Sequence, residues 1–201
     1  MADSAGTRGA GTYELGPASG RVLVKTGRAG LAARAGHDLT LEITDWQARV
    51  TTPGEDGGGV ADATVTADLG LGSLAVREGT GGAKPLTDRD RRDIQSQIRK
   101  ILGDAARAGF ESRRVIASST SSSGAPSAGA IEGTLTLHGV SRGIRLQVSS
   151  PEPGRYRGSA TIRQSDFGIT PYSGFFGALK LLDEVTVEFE VTIEGLKNGS
   201  A

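Results

Sequence analysis

The amino-acid sequence predicts an all-β fold: a single antiparallel β-barrel of about eight strands with one amphipathic α-helix packed on it. Three observations predict it. The run Val185-Thr-Val187-Glu-Phe189-Glu-Val191-Thr-Ile193-Glu194 places apolar residues at every odd position and Thr or Glu at every even one. That is the period of a strand that is dry on one face and wet on the other, a feature of antiparallel sheets, because parallel strands are covered on both faces. Shorter runs of the same period recur along the chain, and one segment alone carries the period of a helix.

In chain order, residues 1–10 are small and polar and read as a disordered leader. Val22 and Val24 mark an early strand. Leu39, Leu41 and Ile43 share a face opposite Thr40, Glu42 and Thr44, after which Trp46, Ala48 and Val50 carry the apolar face on even numbers. The switch of parity at Thr44-Asp45 predicts a turn or a bulge there. Val65, Ala67 and Leu69 continue the alternation. Thr87-Asp-Arg-Asp90 is the Asp form of a capping box, and Ile94, Ile98, Ile101, Leu102 and Ala105 form one apolar face of a helix that ends near Gly109. Arg91, Arg92, Arg99 and Lys100 are expected on its solvated face. Leu135 and Leu137, then Ile144, Leu146 and Val148, flank a hairpin connection over His138–Gly143, and Tyr156–Arg163 supplies a further strand. The low-complexity stretches Gly54–Gly59 and Ser118–Gly129 read as long surface loops, and residues 196–201 as a disordered tail. The domain therefore covers 11–195. Some eight strands suffice to close a barrel around one small ligand, although pattern alone does not separate a barrel from a two-sheet sandwich.

Composition narrows the function. The chain has 201 residues with 23 Lys+Arg against 23 Asp+Glu, so it lacks the basic excess expected of a nucleic-acid binder. There is no cysteine, which excludes disulfides, thiolate metal sites and a cysteine nucleophile. With two histidines only, His37 and His138, a metal site would need carboxylates for most of its ligands. The N-terminus lacks the apolar core of a signal peptide and no segment approaches the length of a membrane span, so a cytoplasmic location is expected.

Four motifs invite a catalytic or ligand reading. Gly139-Val-Ser141-Arg-Gly143 matches the nucleophile pattern G-x-S-x-G, but that chemistry needs a strand-to-helix turn with a histidine later in the chain. Here a strand follows and no histidine does, so Ser141 is read as a turn serine. His37-Asp38 invites a metal-binding or acid–base reading, but His37 is read as a histidine hydrogen-bonded at a strand start that can meet a polar head group near the barrel opening. Gly79-Thr-Gly81-Gly82 lacks the Lys-Ser/Thr of a phosphate loop and reads as a linker. The segment Phe167–Lys180 concentrates Phe167, Tyr172, Phe175 and Phe176 in a glycine-rich connection, where such rings either plug the core or line an opening.

Taken together, His37-Asp-Leu39, Leu86-Thr-Asp-Arg-Asp90, Gly109-Phe-Glu-Ser112, Gly133-Thr-Leu135-Thr-Leu137-His-Gly-Val140, Arg163-Gln-Ser-Asp-Phe167-Gly-Ile169 and Leu182-Asp-Glu-Val185, in this order, resemble the YceI-like family of lipocalin-like barrels. The resemblance spans about residues 11–195. It implies a non-catalytic protein that binds, sequesters or transports an elongated amphiphile in an apolar channel: a polyisoprenoid quinone, a polyprenyl phosphate or a fatty-acid derivative. No cofactor and no nucleic acid are implied; a transient membrane contact for ligand exchange and a homodimer are compatible with it. Pro171–Lys180 and the serine-rich stretch depart from the family pattern, so the ligand can differ. A chain of ~16 buried carbons would gain at most roughly 13 kcal/mol at ~0.8 kcal/mol per methylene, less the cost of immobilising it. On this reading Leu39, Leu41, Ile43, Trp46, Leu135, Leu137, Ile144, Leu146, Phe167, Ile169, Val187 and Phe189 form the inner wall, Phe175 and Phe176 gate the mouth, and His37 or Arg163 meets a head group. The alternative is a structural or protein-interaction barrel with a filled interior and no ligand.

Overall fold

A computed structural model describes residues 11–53, 62–103, 106–120 and 126–194, without the side chains of 118–120, 126, 127 and 175. The expected leader, the Gly54–Gly59 loop, Ala105 and the tail lie outside the described residues. Twelve strands and one helix follow in order: β1 (Gly11–Leu15), β2 (Gly20–Ala29), β3 (Asp38–Ile43), β4 (Trp46–Thr52), β5 (Thr64–Gly70), β6 (Leu74–Thr80), α1 (Asp88–Leu102), β7 (Arg107–Thr120), β8 (Pro126–Leu137), β9 (Val140–Glu152), β10 (Arg155–Arg163), β11 (Ser173–Gly174) and β12 (Leu179–Thr192). They form one curled antiparallel sheet in the order β1-β4-β5-β7-β8-β9-β10-β12-β2-β3-β6, with the two-residue β11 on β12.

The count exceeds eight because three strands bend and the short β11 pairs outside the ring. Ile43 faces Leu74 in the β3–β6 pair and Trp46 faces Leu69 in the β4–β5 pair, so β3–β4 and β5–β6 are two long strands that stay paired through one corner. Likewise β1 and β2 run along the same partner, with Leu15 opposite Ala48 and Val22 opposite Ile43. Counting each bent pair as one stave leaves eight: β1–β2, β3–β4, β5–β6, β7, β8, β9, β10 and β12. The ring closes through the corner, since β2 bonds β12 on one side of it and β5 bonds β7 on the other. Strands that change sheet at a bend make such corners.

The parity switch at Thr44-Asp45 is that corner, and Ser73 holds it. Ser73 Oγ accepts the N–H groups of Thr44 (3.0 Å) and Asp45 (2.9 Å) and donates to the Gly70 carbonyl (2.7 Å). Nearby, Arg107 pairs with Asp68 and with Asp45, tying the start of β7 to both bent strands.

Thr87 caps α1 as expected, with its Oγ1 accepting from Asp90 N–H (3.2 Å) while Asp90 accepts from Thr87 N–H (2.9 Å). The helix ends earlier than predicted, at Leu102, where Gly103 takes a positive φ of 87° and bonds back to the Arg99 carbonyl; Gly109 belongs to β7. Arg91 is not on a solvated face. Its guanidinium donates to the carbonyls of Val76 (3.0 Å) and Arg77 (3.1 Å), and Gln95 donates to that of Leu74 (3.1 Å). Because β6 ends the hydrogen-bonded order, these side chains satisfy carbonyls that an edge strand would otherwise present.

Three other expectations need correction. The β8–β9 connection is only His138-Gly139, with φ of 53° and 76°, the both-positive geometry of a tight hairpin turn. Ser141 is therefore a strand residue bonded to Thr136 across the pair (2.8 Å), not a turn serine. Of the Ser118–Gly129 stretch, residues 118–120 end β7 and 126–129 begin β8; 121–125 lie outside the described residues. Gly79, read as part of a linker, lies within β6.

The tightly packed core sits at the corner and under the 164–169 segment, where Ile43 (1% exposed) and Phe167 (2%) join Leu41, Trp46, Leu71, Leu74 and Ile169.

Candidate binding channel

Away from that core the wall changes character. No residue of β9 is buried, although Ile144, Leu146 and Val148 alternate with Arg145 and Gln147 and point inward. Val50, Val65, Ala67, Val187 and Phe189 are inward-facing and likewise only half-buried. Apolar side chains on the inner face of a barrel stay accessible only if the interior is hollow. A cavity of about 1120 Å³ runs inside the sheet. Ile98, Ile101 and Leu102 of α1 contribute to its wall, so the helix both covers the β6 edge and lines the interior.

Among the described residues, the wall contains no Asp, Glu, Lys, Arg or His. Charges are outside by the same alternation: Lys25 pairs with Glu188 (2.8 Å), Arg49 with Glu14 (2.6 Å) and Arg145 with Glu132 (2.7 Å) across neighbouring strands. Polar groups on the wall are neutral and lie mostly towards the ends. Thr26, Gln164 and Tyr172 line one end, and Thr52, Ser149 and Ser150 the other. Tyr13 and Tyr156 also line the wall, and burial, with Tyr13 adding to it, pushes the Tyr156 phenol upward, so it is un-ionised at neutral pH. Among the described residues no three His, Cys, Asp or Glu side chains are grouped to hold a metal.

Of the residues singled out by sequence, Leu41, Ile43, Trp46, Leu135, Leu137, Ile144, Leu146, Ile169, Val187 and Phe189 line the cavity. Leu39 and Phe167 are buried in the core but do not line it. The two readings of the aromatic segment divide by residue: Phe167 plugs the core, Tyr172 lines the channel, and Phe176 does neither. Phe176 projects fully into solvent (113% exposed) from a backbone with φ of 53°, so it is no gate in this structure; the Phe175 side chain is outside the described residues. His37 and Arg163 do not reach the wall. His37 Nε2 hydrogen-bonds the Lys84 carbonyl (2.7 Å), and Arg163 pairs with Glu184 (3.4 Å) on the outer surface. Sequence reasoning missed Tyr13, Thr26, Tyr156 and Gln164. For Thr26 a signal was present, because it continues the even-numbered phase of Val22 and Val24.

A family model, that of the YceI-like domain, matches residues 24–193. The chain belongs to this family. Among solved structures, Burkholderia cenocepacia BcnA superposes with a TM-score of 0.55 at 14% identity, covering 85% of this chain and 94% of that one. A polyisoprenoid-binding domain from Saccharophagus degradans, described as implicated in plant cell wall breakdown, gives a TM-score of 0.50 at 14% identity, covering 90% and 95%. No curated protein sequence matches the chain. At these identities the structural likeness speaks for the fold. The YceI-like assignment and the lipocalin-like barrel expected from the sequence thus stand together, with the three bent strands and the short β11 accounting for the higher strand count.

Proposed function

We propose that this YceI-like domain binds an elongated amphiphile within the barrel and sequesters or carries it without chemical change. The observation that carries this reading is a hollow of about 1120 Å³ whose wall, among the described residues, has no charged side chain. That volume lies slightly above the usual range of ligand pockets, enough for a long isoprenoid or acyl chain. A polyisoprenoid quinone, a polyprenyl phosphate and a fatty-acid derivative all supply such a chain, and the S. degradans relative is described as polyisoprenoid-binding. The same hollow counts against a filled structural barrel.

Exchange would proceed by brief contact with a membrane. Leu31 (102% exposed) and Phe176 (113%) project from two loops joined by the hydrogen bond from Ala32 N–H to the Ala178 carbonyl (2.9 Å). Two wholly exposed apolar side chains on adjacent loops suit shallow insertion at a lipid surface better than solvent.

Native mass spectrometry and organic extraction of the purified protein test the proposal. The expected result is one co-purifying or added lipid per chain. Absence of extractable lipid, together with failure to bind a neutral lipophilic dye such as Nile red, would refute it.

A further inference from the structure

Among the described residues one buried side-chain polar atom has no hydrogen-bond partner: Oγ1 of Thr26, a residue only 9% exposed. Thr26 follows Val22 and Val24 on the inward face of β2 and forms part of the cavity wall. Valine has the same shape and would occupy the position with no hydroxyl to satisfy. A buried hydroxyl without a partner opposes folding, so the group calls for a partner supplied from outside the chain.

The surroundings are those of a built site. Thr26 faces Val185 of β12, which in turn faces Ile162 of β10. Just beyond this level β12 bulges: Thr26 and Arg28 of β2 are two residues apart, while their partners Val185 and Leu181 are four apart. Bulges of this kind re-aim side chains beside functional sites. Gln164 Nε2 donates to the Leu182 carbonyl in the bulge (3.0 Å), and Ser165 N–H donates to Asp183 Oδ1 (2.8 Å). Gln164 and Tyr172 also belong to the wall at this end. This end of the channel therefore carries a hydroxyl, an amide and a phenol and, among the described residues, no cation to meet an anionic head group.

We propose that Thr26 is the polar anchor of the channel: its hydroxyl hydrogen-bonds the uncharged oxygen of a ligand head, the hydroxyl of a prenol or the carbonyl of a quinone. The inference rests on the channel being a binding site and narrows its ligand class. A carboxylate or phosphate drawn to this depth would lose its water and find no counter-ion among the described wall residues, so neutral isoprenoids are selected over charged ones.

The test compares farnesol, its hydrocarbon counterpart farnesene, and farnesoate by displacement of Nile red from the full chain. Wild type should bind farnesol in preference to farnesoate. Thr26→Val should weaken farnesol by roughly 3- to 10-fold, the worth of one neutral hydrogen bond, and leave farnesene unchanged. Thr26→Ser, which keeps the hydroxyl, should keep farnesol affinity, and ligand-free Thr26→Val should melt no lower than wild type. If Thr26→Val weakens neither compound or both equally, or if it lowers the melting temperature, the anchor is refuted while the channel reading stands. If wild type binds neither farnesol nor farnesene, the channel reading fails and the anchor fails with it.

Discussion

Ala67→Phe separates a hollow barrel from a filled one, because the two give opposite signs for stability. Ala67 faces inward on β5 between Val65 and Leu69, opposite Ala48 on β4 and Phe110 on β7. It lines the cavity and, although on the inner face, is only half-buried, so space lies above its Cβ. In a filled interior a phenyl ring here would overpack the core at a cost of about 1–3 kcal/mol. For a domain of this size that is a fall in melting temperature of roughly 2–12 °C. In the hollow barrel the ring enters open space and buries its own apolar surface, so the melting temperature should hold or rise. Binding should suffer instead. If the six-carbon ring displaces about three ligand methylenes, the loss is ~2.4 kcal/mol at ~0.8 kcal/mol each, or roughly 50-fold in affinity. Differential scanning calorimetry of the ligand-free protein and Nile red titration measure the two quantities. A clear drop in melting temperature with unchanged dye affinity would refute the reasoning.

Three further outcomes follow from other parts of the molecule. Ser73→Ala removes the acceptor for Thr44 and Asp45 N–H at the corner, and since water reaches this exposed turn the cost should be about 1 kcal/mol, a fall of roughly 2–4 °C by thermal melting. Glu190 is held by Arg155, Arg21 and Arg157, which lower its pKa from 4.5 to about 2, so its contribution to stability is fully present above about 4.5 and lost as pH falls towards about 2. Glu190→Gln should therefore melt below wild type at pH 7, with the difference closing across that acidic window; a constant difference would show that the arginines do not act through the ionised carboxylate. Replacing both Leu31 and Phe176 by Ser should change stability by no more than about 0.5 kcal/mol and leave Nile red affinity intact. The same pair should slow dye transfer to lipid vesicles several-fold in a stopped-flow assay, and unaltered transfer would remove the membrane contact from the proposal.

The elements legible in the sequence were those where a side-chain period coincides with burial. The 185–193 alternation is β12, the parity switch at Thr44-Asp45 is the barrel corner, and Thr87 with Asp90 is the helix cap. Illegible elements are specified by partners remote in sequence. Residues 126–129 are Pro, Ser, Ala and Gly, with no pattern of their own, yet Ala128 and Gly129 pair with Ser149 and Val148 of β9 because the backbone ladder continues past the apolar run. Arg91 looked solvated because a helical wheel shows which face is polar but not that an edge strand lies against it. Residue type alone suggests His37 and Arg163 for a head group, whereas Lys84 and Glu184 engage them outside the wall.

One feature of the composition links fold to function. Only nine residues in the chain are aromatic: one Trp, three Tyr and five Phe. The inward positions of the staves are largely Val, Ala, Ile and Leu, with few large rings, and the interior they enclose stays hollow. The largest fully buried side chains, Ile43 and Phe167, lie at the corner and in the 164–169 segment, whereas β9 has no buried residue. A wall in that state lacks apolar contacts on one side, and a ligand that occupies the interior supplies them. Binding and completion of the core are then the same event, and any ligand that binds only the folded chain must stabilise it, by about 2.7 kcal/mol when present at a hundred times its dissociation constant. The unpartnered Thr26 hydroxyl fits this account, because a wall that relies on its ligand for apolar contacts can rely on it for a hydrogen bond as well.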